Sequence, residues 1–391
     1  MFAKSTNRHD VTSPVYLDHA ATTGVDSRVA DLVMRMMVNE FGNAGSRTHV
    51  YGASAAAAVS RAREQIALPL ASEPDDIIFT SGATESDNLA ILGLAPCGDA
   101  SGRRHIVSSA IEHKAVLEPL THLAQQGFDV TLIQPDRSGY ISHEEVLAAV
   151  RPDTLLVSIM HGNNETGALQ PITAIAEGLG ALPETYLHVD AAQSFGRQTE
   201  DLRHPRIDLI SLSAHKLFAP KGVGALVIRR RDGRRPPLTP LMYGGGQERT
   251  LRPGTLPVPL VAGFGLAAEL AHDESAARRA VCLAHRAAAL DAFKLLDPVV
   301  HGDDQRGVLP HILSLAVPGL DSEAVMVASK TIVAISNGSA CTSAKYEPSH
   351  VLRAMALPPD VIDGTLRISW SHMTPQVPWS DLVAALDDLR L

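Results

Sequence analysis

The chain has 391 residues, 45% hydrophobic and 20% charged, with a net charge of −9. That balance fits an ordinary globular enzyme and argues against a nucleic-acid-binding surface. No apolar run approaches the ~20 residues of a membrane span, and Met1–Asp10 contain no apolar stretch of the signal-peptide kind. Cys97, Cys282 and Cys341 are an odd set with neither disulfide nor metal spacing, so a reducing cytoplasm is expected.

From about residue 55 to 230, strand-length apolar runs alternate with helix-length stretches. Asp76–Thr80 reads as a strand, with a helix after Ser81-Gly82-Ala83-Thr84-Glu85. His105–Ser108 and Val130–Ile133 read as further strands. Ser142-x-x-Glu145 is a capping-box signature opening a helix. Leu155–Met160 is apolar throughout, as a strand covered on both faces should be. Tyr186–Asp190, Ile207–Leu212 and Val223–Ile228 complete the series. This alternation predicts an α/β fold with a mostly parallel sheet. A charged turn at Arg230–Pro237 and glycine-rich loops follow. After Pro259 an Ala-rich helical pattern runs to about residue 295, in two helices, and the remainder is mixed α/β. The expected division is a large domain over 14–258 and a small one made of 1–13 and 259–391.

The strongest chemical signal is Lys216, at the end of Ser213-Ala214-His215-Lys216. A second strand ends at Asp190, with Gln193 just beyond. A lysine that can form a Schiff base and a carboxylate that can pair with a protonated pyridine nitrogen are what pyridoxal phosphate requires. Lys216, Asp190, Asn164 and Thr84 all lie just past predicted strand ends, where ligands of such sheets bind. Ala83 and Thr84 begin a helix, so they either cradle a phosphate or simply cap the helix. Ser213 and His215 could donate to the same phosphate. His113 could stack on a flat ring and pass protons, or be one more of the chain's 17 histidines at a helix start. Asn164 sits in a Gly-bounded turn, which by itself is ordinary turn chemistry. Arg367, alone in an apolar strand, suits bidentate capture of a carboxylate or a structural ion pair. Cys341 lies in the small, polar Ser336–Ser343 stretch, where a thiolate could reach a substrate. Cys282, within a predicted helix, reads as buried.

Taken together and in order, these motifs resemble the NifS/IscS-like cysteine desulfurases, class V of the fold-type I pyridoxal-phosphate enzymes. The matching segments are Tyr16–Thr23, Phe41-Gly42-Asn43, Phe79–Ser86, Glu112–Leu117, Val157–Glu165, His188–Gln193, Ser213–Lys216, Gly254-Thr255-Leu256-Pro257 and Gly338–Ser343. The similarity spans roughly residues 15 to 375.

The resemblance implies a cytoplasmic homodimer that converts L-cysteine to L-alanine and leaves a persulfide on Cys341. Lys216 would hold the cofactor, Asp190 the ring nitrogen and Gln193 the 3-oxygen. His113 would stack on the ring. Ala83, Thr84, Ser213 and His215 would bind the phosphate, and Thr255 would reach the phosphate of the neighbouring subunit. Asn164 and Arg367 would hold the substrate carboxylate. A protein sulfur acceptor is expected, with no direct nucleic-acid binding and no membrane. Iron–sulfur assembly, tRNA thiolation and DNA phosphorothioation are the candidate pathways, with a lean to the last. A class V aminotransferase or selenocysteine lyase is the enzymatic alternative; a sulfur-relay scaffold is the non-enzymatic one. Several positions depart from the pattern. Ala219 stands where Gly is frequent, Asn43-Ala44-Gly45-Ser46 replaces Asn-Pro-Ala-Ser, and Gly162 and Thr166 flank the Asn pair. Trp370-Ser371-His372 replaces a Leu-Gly start and is expected to reshape the substrate pocket. The chain ends 24 residues after Arg367, which argues against the tail that docks an iron–sulfur scaffold in housekeeping relatives.

Overall fold

The computed structural model describes residues 13–337 and 348–390. The short strand β1 (Val15–Tyr16) comes first. Then come β2 (Ile77–Thr80), β3 (His105–Ser109), β4 (Asp129–Ile133), β5 (Thr154–Met160), β6 (Tyr186–Asp190), β7 (Leu209–Ser213) and β8 (Gly224–Ile228). These seven form one sheet in the order β2-β8-β7-β6-β5-β3-β4. The β7-β6-β5-β3-β4 run is parallel, and β8 pairs antiparallel with both β7 and β2.

Helices cover both faces, which is why these strands read as continuous apolar runs. Side-chain alternation divides the core cleanly. Ile77, Phe79, Val157, Leu187, Val189, Ile210 and Leu212 pack in one apolar cluster. Ile78, Ile106, Leu156, Leu209 and Leu226 pack in another, beyond the opposite face. His188 and Asp190 alternate with Leu187 and Val189, so they face the second cluster. The helices of this part are α1 (Ser27–Val38), α2 (Val50–Ala67), α3 (Ala83–Ser101), α4 (Lys114–Gln125), α5 (His143–Ala149) and α6 (Ile172–Gly178). Of these, α3 and α4 contribute Leu89, Leu94, Val116 and Leu120 to the second cluster, whereas α1 and α2 contribute Val29, Val33, Val59 and Ile66 to the first.

Downstream, α7 (Val258–Asp273) and α8 (Ser275–Phe293) are the two Ala-rich helices. Strands β9 (Val299–His301), β10 (Ile312–Ala316) and β12 (Thr365–Ser369) make an antiparallel sheet in the order β12-β10-β9, while β11 (Val333–Ala334) pairs in parallel with β1. A separate apolar cluster holds this part together, with Leu17, Phe293, Leu313, Leu366 and Trp370 inside it. Trp370 is fully buried and its indole N–H donates to the carbonyls of Cys282 (2.9 Å) and Pro310 (3.1 Å). It is therefore a core residue and does not reshape the substrate pocket as its position after Arg367 suggested. Cys282 is buried, as expected, and Cys97 lies inside α3 rather than after it.

Candidate active site

A cleft of about 410 Å³ opens at the carboxyl ends of the parallel strands. Its wall includes Ala83, Thr84, His113, Asn164, Asp190, Gln193, Ser213, His215 and Lys216. These residues come from sites scattered over more than a hundred positions, and the sheet brings them together. Arg367 stands behind this wall: it is buried, and its Nη1 donates to the Asn164 carbonyl (3.1 Å) and its Nη2 to Asp18 Oδ1 (2.8 Å). The ion-pair reading of Arg367 is thus part of its environment. Thr255 is exposed and outside the cleft of its own chain. Cys341 lies outside the described residues.

One end of the cleft is built for an anion. Helix α3 starts at Ala83, and the first N–H groups of a helix have no intrahelical acceptor. Gly224 makes the close approach possible. It sits between Thr80 and Ser213 in the sheet register, and a Cβ there would lie 2.6 Å from both Gly82 Cα and the Leu212 carbonyl oxygen. Ser213 Oγ, from the neighbouring strand, is buried without a partner. His215 Nδ1 contacts Thr22 Oγ1 (3.2 Å). Burial, then Lys216 and Lys221, lower the His215 pKa to about 4, so its imidazole is neutral at pH 7. Glu85 folds back over this turn and accepts from the Ser81 N–H (2.7 Å) and Arg252 Nε (3.0 Å).

The opposite end is acidic and dry. Asp190 accepts the Ala192 N–H (2.8 Å). Burial first, then the nearby Asp87, raise its pKa to about 6. Asp87 is 1% exposed, and neither carboxyl oxygen makes a hydrogen bond within the usual distance. Its Oδ1 lies 3.5 Å from His188 Nε2. His188 is clamped by Ser158 Oγ (2.8 Å) and Ser211 Oγ (2.9 Å). Burial raises the Asp87 pKa to about 7 and that of Glu112 to about 8. Sequence reasoning missed Asp87. Its signal was spacing: it follows Thr84 by three positions on α3 and so shares that helix face.

His113 caps α4. Its Nδ1 accepts the Ala115 N–H (3.1 Å), which puts the proton of the neutral ring on Nε2. Burial and the Lys216 charge keep its pKa below the usual histidine value. Gln193 donates from Nε2 to the Ala20 carbonyl (2.9 Å), and its Oε1 is buried without a partner. The Lys216 carbonyl accepts from Arg197 Nη2 (2.8 Å). Two residues on, Phe218 adopts φ +64°, a conformation costly for a side chain with a Cβ. Thr23 Oγ1 accepts the Phe218 N–H (2.9 Å) and holds it there.

These groups fit pyridoxal phosphate. Ser213 Oγ and Gln193 Oε1 are buried polar atoms facing a cleft with no protein partner. A helix N-terminus lies at one end, a buried carboxylate at the other, and a lysine between.

Comparison with known proteins agrees. The aminotransferase class-V family model matches residues 15–377. A Vibrio cholerae protein named cysteine desulfurase IscS is 46% identical over 367 residues, covering 93% of this chain and 89% of its own. The crystal structure of DndA from Streptomyces lividans superposes with a TM-score of 0.80 at 54% identity, covering 91% of this chain and 99% of that one. A structure described as SspA in complex with cysteine gives a TM-score of 0.76 at 35% identity, covering 93% and 99%. The seven-stranded sheet is that of the fold-type I enzymes. The chain belongs to the aminotransferase class-V family, in its NifS- and IscS-like branch.

Proposed function

We propose that this protein is a pyridoxal-phosphate-dependent cysteine desulfurase that takes sulfur from L-cysteine onto Cys341. The observation that carries the reading is the convergence of Lys216, Asp190, His113 and the unpartnered atoms Ser213 Oγ and Gln193 Oε1 on one cleft. The names of its relatives support it: cysteine desulfurase for one, a cysteine complex for another.

When bound, the cofactor supplies an electron sink that stabilises charge developing on the substrate. The chain's own residues do the rest. The α3 N-terminus, Thr84, Ser213 and His215 hold the phosphate. Asp190 faces the ring nitrogen, and its dry surroundings strengthen that ion pair. Gln193 orients the ring 3-oxygen. Lys216 would hold the cofactor through Nζ, and its amine would serve as the base for the substrate α-proton. His113 would stack on the ring, with a proton available on Nε2. Arg367, with Asn164, receives the substrate carboxylate. The Cys341 thiolate attacks the substrate sulfur: the substrate Cβ–S bond breaks, an S–S bond forms, and the freed carbon takes a proton to give L-alanine.

Thr255 completes the phosphate site of a second subunit. Its exposure outside its own cleft supports this. The exposed Met34, Met37, Val38, Phe41, Val50 and Tyr51 support a homodimer. The persulfide passes to a protein acceptor in the cytoplasm. Among sulfur pathways we favour DNA phosphorothioation; the identity of 54% to DndA, against 46% to IscS, supports that choice. No helix among the described residues is long and apolar enough to cross a membrane.

The test is direct. Incubation with L-cysteine should yield alanine and, with a thiol present, sulfide. Full sulfide release by Cys341→Ala would remove the persulfide role. Oxoacid-dependent amino transfer would favour the aminotransferase reading instead.

A further inference from the structure

Behind Lys216, away from the cleft, lies a second cavity of about 30 Å³. Arg197, Arg278, Arg279, His311 and His372 are in its wall, with Phe218 and Cys282. We propose that it is a binding site for a small anion of one heavy atom, of the halide or hydrosulfide class.

The argument starts from charge. Arg278 pairs with Glu274 (2.8 Å) and more distantly with Asp26 (4.0 Å). Arg28 shares both carboxylates, so those two arginines balance those two acids. Arg197 and Arg279 have no carboxylate partner among the described residues. Arg197 donates to the Lys216 carbonyl and lies over the Phe218 ring, 5.3 Å from its centroid. Arg279 donates to the neutral Gln198 Oε1 (3.2 Å). Arg279 is exposed and solvated, so the uncompensated charge at the cavity is that of Arg197, which is half-buried, and a partly buried guanidinium without a counter-charge is costly.

His311 points to the same ligand independently. It is fully buried, and both ring nitrogens lack a partner. One of them must carry a proton in any tautomer, so the ring has a donor with no protein acceptor. An acceptor in the cavity would serve His311 and Arg197 together. The volume of about 30 Å³ sets the best fit: space on the order of one or two waters suits an anion of one heavy atom better than sulfate, phosphate or a carboxylate. The site bears on the cofactor lysine through Arg197, whose guanidinium holds the Lys216 carbonyl.

The purified, cofactor-loaded protein is melted in sodium chloride and in sodium gluconate at equal ionic strength, gluconate being too large to enter. The midpoint should be higher in chloride by roughly 2 °C and should saturate with chloride concentration. Arg197→Gln should abolish the difference. Equal midpoints for the wild type, or an undiminished chloride effect in Arg197→Gln, would overturn the proposal. Should that variant not fold, wild-type crystals soaked in bromide decide the matter. An anomalous peak between Arg197 and His311 supports the site; ordinary water density with no anomalous signal there refutes it.

Discussion

Ser336 and Arg367 exchange two backbone hydrogen bonds: the Ser336 N–H donates to the Arg367 carbonyl (3.2 Å) and the Arg367 N–H to that of Ser336 (2.6 Å). The segment that leads to Cys341 is thereby fastened to the residue proposed to grip the substrate carboxylate. At the far side of that segment, His350 Nε2 donates to the Glu112 carbonyl (2.9 Å), next to His113. Ser336 and His350, on either side of the Cys341 segment in sequence, are thus each fastened to residues beside the cleft.

The Arg367 guanidinium is held from two sides, by Asp18 and the Asn164 carbonyl. A lysine there would keep the charge and lose the fixed fork that a carboxylate needs. Arg367→Lys should lower kcat/KM for L-cysteine by about 100-fold, mostly through KM. Asp18→Asn frees the guanidinium without removing it, and should cost roughly 10-fold. Steady-state alanine formation measures both. An unchanged KM in Arg367→Lys would leave Arg367 a structural residue only.

The Gly82–Gly224 approach makes a separate prediction about the cofactor. With Cβ contacts of 2.6 Å to backbone atoms on two sides, Gly224→Ala must push the start of α3 away from Ser213. The phosphate cradle would open while Lys216 and Asp190 stay in place. Cofactor affinity should fall by at least about 10-fold, as read by equilibrium titration of the cofactor-free protein. A substitution in the same strand but away from the cradle, Val227→Ala, should cost stability and not affinity.

Asp190, Asp87 and Glu112, three of the carboxyls that burial raises, tie stability to pH. Each binds its proton more tightly folded than unfolded, so the folded state holds the extra protons. That stabilisation is complete below the ordinary carboxylate pKa and is lost as pH rises through about 6 to 8. Buried neutral histidines such as His188, whose pKa is lowered to about 4, act in the opposite sense on acidification. A difference between two variants separates the effects. Cofactor-free Asp87→Asn, which cannot ionise, should melt close to the wild type near pH ~5 and above it near pH ~8. A difference that does not vary with pH would mean that Asp87 is already charged in the folded protein.

Much of this was legible before any coordinates. Strand β6 ends at Asp190 and β7 at Ser213, three residues before Lys216, where the apolar runs stop, because a strand buried on both faces must change composition where it meets solvent or ligand. Ser142 caps α5 by accepting the Glu145 N–H (3.2 Å), as its spacing predicted. Pairing was not legible: nothing in Gly224–Ile228 says that it runs antiparallel between β2 and β7, since sheet order is settled by tertiary contacts. Asp87 was hidden for a related reason. An acid on a helix near a phosphate motif looks solvated until the sheet beneath it is in place. The packing role of Trp370 was concealed because it lies three positions past Arg367 and just beyond the end of β12, where only the apolar cluster around it shows that it is core.

Trp370 permits a last prediction that separates packing from substrate recognition. Its indole N–H is the donor for two buried carbonyls, those of Cys282 and Pro310. Trp370→Phe keeps most of the apolar volume and removes that donor, leaving both acceptors short of a partner. The expected cost is about 1–3 kcal/mol of unfolding free energy, measured by denaturant titration with an unchanged slope. KM for L-cysteine should stay within about twofold, because the ring faces Leu17, Phe293 and Trp379 rather than the cleft. A large rise in KM at unchanged stability would return Trp370 to the substrate pocket, where the sequence alone had put it.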